Sequence, residues 1–416
     1  MKKASILLLF VCTLSLNACA QWYLFPGKKK PAEKPPVTDT TQRQRPDSVR
    51  MQGLPARPDS VATADTMIHA DWWPDNDPNV FVLDIPDVIH IGLALPLQAS
   101  AQKPSDNFLD FYSGALLALR DLGADGLRAD LQVYDTADSK TPVPQSLLDE
   151  NDVIIGPVSY EEIAATAPLC SGKVLVSPLE PKAAALAAEG SVVQAPPTWT
   201  AQTDELIRWI REELPVGESL YVVRDTASVI QGEQSAYFMA QLQERGVRYR
   251  SVLSTAEIPF EKGRKARVAV VSDRDNFVTT AVRSLSIEGA RNNDVILYGT
   301  SRVRTNGVSQ NDLHNAEAHL AVSYFIDYED PAVQQFILAY RALFQTEPGS
   351  FSFQGYDTMH YFVTMCAKYG RQWHRKLSEY GEKGLQADFR FREEPARVNQ
   401  AVRRVIYHPD LTTTKE

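Results

Sequence analysis

The chain has 416 residues, 44% of them hydrophobic, with 43 Lys and Arg against 52 Asp and Glu and a formal net charge of -9. That length exceeds what a single core usually serves and predicts more than one folded unit. The acidic balance excludes nucleic acid as an expected partner.

Residues 1–18 read as an export signal, because MKK is followed by the apolar run ASILLLFVCTLSL, which is too short for a good membrane span. The run ends in Leu16, Asn17, Ala18 and Cys19, a resemblance to a bacterial lipobox that implies diacylation of Cys19. The alternative is an ordinary signal peptide cut nearby. Trp22, Tyr23, Leu24 and Phe25 follow at once and suit a membrane interface beside an acyl anchor. Up to about residue 80 the composition turns proline-rich, with Lys28, Lys29, Lys30, Lys34, Arg43, Arg45, Arg50 and Arg57 making its first half basic. This stretch reads as a disordered tether.

From residue 87 short apolar runs alternate with helix-period segments. HIGLALPL (90–97) precedes FLDFYSGALLALRDLG, ADLQVYDT (129–136) precedes QSLLDE, and KVLVSP (173–178) precedes PKAAALAAEG. Between them, DVIIGP leads into Ser159, Tyr160, Glu161 and Glu162, where the S-x-x-E spacing predicts a capping box. A second series starts with TAQTDELIRWIREEL, in which Leu206, Ile207, Ile210 and Leu214 share a face. It continues through SLYVVRDT (219–226), a helix over 234–246, ARVAVVS (266–272), a helix over 275–289 and DVILYGT (294–300). Strands without polar alternation, each followed by a helix, predict parallel sheets covered on both faces. The fold class is therefore α/β, in two lobes.

Taken in order, IGLALPL, FYSGALLALRDLG, VYDT, DVIIGPVS, VLVSPLEP, the segment from Trp199 and FQGYDTMHYFVTMCAKYG resemble the type I periplasmic-binding proteins, in particular the leucine/isoleucine/valine-binding group. The likeness covers about residues 88–408 and implies three crossings between lobes. Lobe 1 is then 88–195 plus 328–390, and lobe 2 is 196–327 plus 391–410. The late helix near Tyr356 belongs to lobe 1. In amino-acid-binding members, hydroxyls and backbone N–H groups near Ser159 and Ser177 hold the ligand carboxylate, and an acidic residue of lobe 2 holds the ammonium. Here Leu179, Glu180, Pro181 and Lys182 replace the expected small and hydroxyl residues, and DTASVIQGE lacks the tyrosine and glycine pair usual after that strand.

No P-loop, G-x-G-x-x-G, H-E-x-x-H or G-x-S-x-G occurs, so no enzyme, cofactor or metal is expected. His314 and His319 around Glu317 make a poor metal pair and read as surface histidines. Cys170 and Cys366 read as buried free thiols, a bridge between them being the alternative. Asp225, Asp273 and Asp275 beside Arg224 and Arg274 read as turns, caps and local ion pairs rather than an acid–base pair. Ligands of open α/β sheets sit beyond the carboxyl ends of the strands. The candidate ligand-binding residues are therefore Gln98, Ser159, Tyr160, Ser177 and Glu180 in lobe 1, Asp225, Thr226, Ser272, Arg274, Tyr298 and Thr300 in lobe 2, and Tyr356 nearby.

Two functions fit. One is a receptor that closes on a small polar solute and delivers it to an ABC permease or a sensor. The other is a scaffold or regulator that binds an envelope protein or the cell wall, as the lipoprotein activators of penicillin-binding proteins do. Ala20 is not an acidic retention signal, which by the enterobacterial rule places the lipoprotein in the outer membrane, facing the periplasm.

Overall fold

The computed structural model describes residues 84–137, 143–187, 190–225, 232–261, 263–393 and 397–415. The signal, Cys19 and the tether, and also Thr226, lie outside the described residues.

The first sheet forms from β1 (Ile89–Leu95), β2 (Ala129–Asp135), β3 (Val153–Ile155), β4 (Leu175–Ser177) and β5 (Val192–Gln194), all parallel in the order β2-β1-β3-β4-β5. Helices α1 (Asp106–Ala124), α2 (Gln145–Glu150), α3 (Tyr160–Thr166) and α4 (Ala184–Ala187) connect them. Ile91, Leu93 and Leu95 turn to one core, and Ala94 and Ile154 to another on the opposite face. Burial on both faces is why these strands show no polar alternation.

After α5 (Trp199–Glu213) the second sheet begins. Its parallel strands are β6 (Leu220–Val223), β7 (Tyr249–Val252), β8 (Ala266–Val270), β9 (Val295–Thr300) and β10 (Ala318–Val322), connected in part by α6 (Glu233–Glu244), α7 (Asp275–Ala290) and α8 (Gln310–Asn315). The chain then returns to the first lobe as α9 (Pro331–Phe344) and α10 (Ser350–Tyr369). Met359, Phe362 and Cys366 of α10 join the core of β1 and β3. Two glycines set that contact. A Cβ at Gly114 of α1 would lie 1.8 Å from the Ser352 carbonyl, and one at Gly355 would lie 2.0 Å from the Phe111 carbonyl. Only bare backbone lets the helices approach this closely.

A small ribbon, β11 (Glu382–Lys383) with β12 (Asp388–Phe389), precedes β13 (Arg403–Tyr407) and β14 (Thr413–Lys415), which complete the second sheet in the order β14-β13-β10-β9-β8-β6-β7. Strands β13 and β14 are antiparallel additions. The chain thus passes between the sheets three times: from β5 to α5, from β10 to α9, and from β12 to β13.

Hydrogen bonds between the lobes gather at these crossings. Arg403, 2% exposed, donates to the carbonyls of Phe325, Gly384 and Leu385 and to Asp388. Asp357 of α10 accepts the N–H groups of Leu385, Gln386 and Ala387 at 2.7, 2.8 and 2.9 Å. Asn399 spans Ala195 and Asp388. Cys170 and Cys366 are buried and free, and burial pushes the Cys170 thiol up to about 11. Among the described residues, no helix is long and apolar enough to cross a membrane.

Candidate functional site

At the carboxyl end of the first sheet, Ser159 caps α3 as its spacing predicts. Its Oγ accepts from the Glu162 N–H at 3.3 Å and donates to Glu162 Oε2 at 2.7 Å, while Oε2 also accepts the Ser159 N–H at 3.3 Å. Two backbone donors at this helix mouth are therefore occupied within the chain, the Ser159 N–H by the Glu162 carboxylate and the Glu162 N–H by the Ser159 hydroxyl. The second oxygen of Glu162, Oε1, is buried with no hydrogen-bond partner. Tyr160 follows as the first, half-buried residue of α3. The Ser177 hydroxyl is fully buried and reaches only the Glu180 carbonyl, at 3.4 Å, and Glu180 Oε1 accepts from the Lys182 N–H at 2.8 Å. Both side chains thus serve the turn after β4.

Gln98 sits in the turn after β1 with φ 54°, and its N–H and that of Ala99 donate to Asp135 at 3.0 and 2.8 Å. Burial works against the Asp135 charge, yet the N–H groups of Ala99, Ala137 and Gln98 outweigh it and hold the carboxyl below its usual range. Asp135 was not among the residues picked out from the sequence. Its signal is an acidic residue ending a strand beside the first β–α turn, and its role here is to fix that turn.

At the carboxyl end of the second sheet, the structure brings Asp225, Ser272 and Arg274 together. Ser272 Oγ donates to Asp225 Oδ2 at 2.6 Å, and Arg274 donates through Nε to Oδ2 at 2.7 Å and through Nη2 to Oδ1 at 2.5 Å. The bidentate pair raises the Arg274 pKa above its usual value. Nearby, Arg302 donates to Asp275 Oδ1 at 2.8 Å and to the Asp273 carbonyl at 2.7 Å. Thr300 caps the short turn that carries Arg302, accepting its N–H at 3.4 Å. The expectation of turns, caps and ion pairs describes these residues. Beside Asp225 an open depression, with about 540 Å³ of empty space continuous with solvent, is lined in part by Ser235, Met239, Ser272 and Arg274.

Two candidates stand away from these edges. Tyr298 is fully buried between β9 and α5, where its hydroxyl donates to Glu213 Oε2 at 2.5 Å. Burial and the Glu213 bond push its phenol up. Tyr356 turns toward the last turn of α1 and donates to Asp121 Oδ2 at 3.1 Å. The histidines also depart from expectation, since both are interior. His314 Nδ1 lies 2.8 Å from the His408 carbonyl, and His319 stacks on Trp209 with Nδ1 3.0 Å from Glu213 Oε2. Their partners come from β13, α5 and the C-terminal loop, so spacing around Glu317 carries no sign of them. Among the described residues, no group of three or more His, Cys, Asp and Glu is placed to hold a metal.

No family model matches the chain, and no curated protein matches it. Solved structures do. A protein described as a branched-chain amino acid ABC transporter from Rhodospirillum rubrum is 17% identical with a TM-score of 0.55, the match covering 77% of this chain and 98% of that one. The C-domain of LpoA (YraM) from Haemophilus influenzae, a regulator of PBP1A, is 13% identical with a TM-score of 0.50, covering 79% of this chain and 99% of its own. The fold is that of the type I periplasmic-binding proteins, with two parallel-sheet lobes and three crossings.

Proposed function

We propose that this chain is a cell-envelope lipoprotein that binds a small polar solute, amino-acid-like or other, at the carboxyl edges of its two lobes, for uptake or sensing. The observation that carries the reading is the open depression at the end of β6 and β8, where a carboxylate, a hydroxyl and a guanidinium meet at one rim. A few convergent polar groups beside apolar walls are what orient a small ligand. On the first edge the Ser159–Glu162 box places a carboxylate where an incoming carboxylate would otherwise be held. The group that meets this edge is therefore neutral or cationic.

In this reading Cys19 is acylated and anchors the chain, with the outer membrane favoured over the inner. Mass spectrometry of the mature N-terminus tests the anchor. A thermal-shift screen with amino acids, peptides, purines, sugars and wall fragments tests the binding. A ligand at a hundredfold excess over its Kd adds about 2.7 kcal/mol, and roughly 2 to 4 °C per kcal/mol is usual for domains of this size. No movement with any of these classes sinks the receptor reading.

A second reading has its own support. Ser159, Ser177, Asp225 and Thr300 already hold partners within the chain, and one structure of like fold is described as a regulator of PBP1A. In that case the chain is a scaffold that binds an envelope protein or a cell-wall enzyme, and the screen stays silent.

A further inference from the structure

Most buried and half-buried arginines among the described residues are paired with carboxylates, and Arg304 instead meets the Tyr324 carbonyl and ring. Arg403 meets Asp388 and three carbonyls, Arg404 meets Glu205 and Glu212, Arg267 meets Glu218, and Arg245 meets Asp204. Arg397 has no such partner among the described residues, and its Nη1 is buried without a hydrogen bond. Its backbone is nonetheless held firmly. The Gln194 N–H donates to the Arg397 carbonyl at 2.8 Å, the Asn399 N–H donates to the Gln194 carbonyl at 3.1 Å, and Val398 forms a parallel bridge with Gln194. Arg397 itself adopts φ 62°, in the left-handed region that a non-glycine residue enters only when its surroundings impose it.

The guanidinium reaches the turn before β5: a Cβ at Gly190, which has φ 91°, would make an ordinary contact with Arg397 Nη1 at 3.7 Å. The tight turn Gly370–Arg375 after α10 carries His374 and Arg375, whose surroundings feel the charge of Arg397. Burial, then the charges of Arg397 and Arg375, depress the His374 pKa to about 4. Burial and Arg375 likewise lower that of Arg397. A partly desolvated guanidinium near a second one, with no carboxylate paired to either among the described residues, is costly unless an anion from outside joins them.

We propose that Arg397, Arg375 and His374 form a binding site for a phosphate-type oxyanion, free or carried on a larger molecule. Arg397 supplies the planar fork that suits an oxyanion. Arg375, more exposed, adds a second cation, and His374 gains a proton as negative charge arrives. The site sits at the amino end of β5, the opposite end of the strand from the edge that carries the receptor reading, and stands independently of that reading.

The test is calorimetric titration of the full chain with inorganic phosphate, beside titration with vesicles containing phosphatidate. Saturable binding that weakens tenfold or more in Arg397→Gln and in Arg375→Gln, with circular dichroism unchanged, supports the site. Vesicle binding without binding of free phosphate, weakened by the same substitutions, assigns the oxyanion to a headgroup. The His374 ring resonance, identified by its loss in His374→Gln, should titrate at higher pH when the anion is present. If Arg397→Gln fails to fold, the exposed Arg375→Gln decides. The proposal is overturned if neither titrant binds saturably, if binding survives both substitutions, or if the His374 midpoint stays in place.

Discussion

Two regions of the molecule concentrate arginine and treat it in opposite ways. At the carboxyl edge of the second sheet, Arg274 and Arg302 find carboxylates on neighbouring loops, Asp225 and Asp275, and the region is closed electrostatically. At the amino end of β5, Arg375 and Arg397 have no carboxylate partner among the described residues, and their charges act on each other and on His374, which stays neutral at ordinary pH. The same side chain is thus a structural clasp in one place and an open valence in the other. A ligand at the first region must compete with pairs already formed, whereas one at the second meets charge left over.

The fully answered extreme is Arg403, and its loss has the largest expected effect. Truncating this 2%-exposed side chain in Arg403→Ala leaves Asp388 and three crossing carbonyls without their donor. Removing one partner of a buried ion pair costs about 3 to 5 kcal/mol, measurable by urea denaturation. A loss below about 1 kcal/mol would show that the crossings hold without it.

The unanswered extreme predicts a pH effect. His374 takes up its proton at about pH 4 in the folded chain, against 6.5 for the free side chain. Between these values the unfolded state binds more protons, so stability is fully present above pH 6.5 and falls as the pH drops toward 4. The ring is not wholly shielded, and the slope will be gentler than the full shift would give. Thermal melts at pH 7 and pH 5 should differ less in His374→Gln than in the parent, and less again in the parent with phosphate. Equal differences in all three would remove the histidine from the comparison.

How far these regions can be read from sequence depends on the distance between partners. The capping box of Ser159 and Glu162 is legible because both ends lie within one helical turn. The candidate cluster of Asp225, Ser272 and Arg274 is legible in part, since each follows a strand whose carboxyl end is apparent from its apolar run. Tyr298 also lies in such a run, but its environment is set by Glu213, 85 residues away, and it turns inward. His319 is buried for the same reason, against Trp209. Strands β5, β7, β10 and β14 and helix α9 gave no separate signal: the strands are three to five residues long, and α9 follows a crossing between the sheets. The basic cluster was invisible, because Arg375 and Arg397 lie far apart in the chain and only the bridge of Val398 to Gln194 sets Arg397 beside β5.

Between the two extremes stands the first sheet's carboxyl edge, which uses a hydroxyl and a carboxylate in place of arginine. Ser159→Ala removes the acceptor for the Glu162 N–H and the donor to Glu162 Oε2, and should lower stability by about 1 kcal/mol, the usual cost of a lost cap. Glu162→Gln keeps an acceptor for the Ser159 N–H and should change stability little. Should Ser159→Ala leave the melt unmoved while abolishing micromolar binding of free α-amino acids, the edge is an anion site and the assignment of Ser159 to the cap is wrong.

The smallest expected change in stability comes from Arg274→Ala, and it separates the two functional readings. Arg274 lies on the surface, where solvent screens its pairing with Asp225, so its removal should move the melting temperature less than Ser159→Ala does. Asp225 keeps the Ser272 hydroxyl at 2.6 Å and stays held in place. What changes is the rim of the depression, which loses its one cation from the Asp225 cluster while the carboxylate remains. A solute that binds there through both charges would lose affinity, and one that binds through an ammonium alone would gain, since the Arg274 guanidinium no longer competes for Asp225. A scaffold that uses other surfaces would show neither. Comparing the ligand-induced thermal shift in parent and Arg274→Ala therefore reads the site directly: a shift that is the same in both, for any ligand the screen finds, places that ligand elsewhere than at β6 and β8.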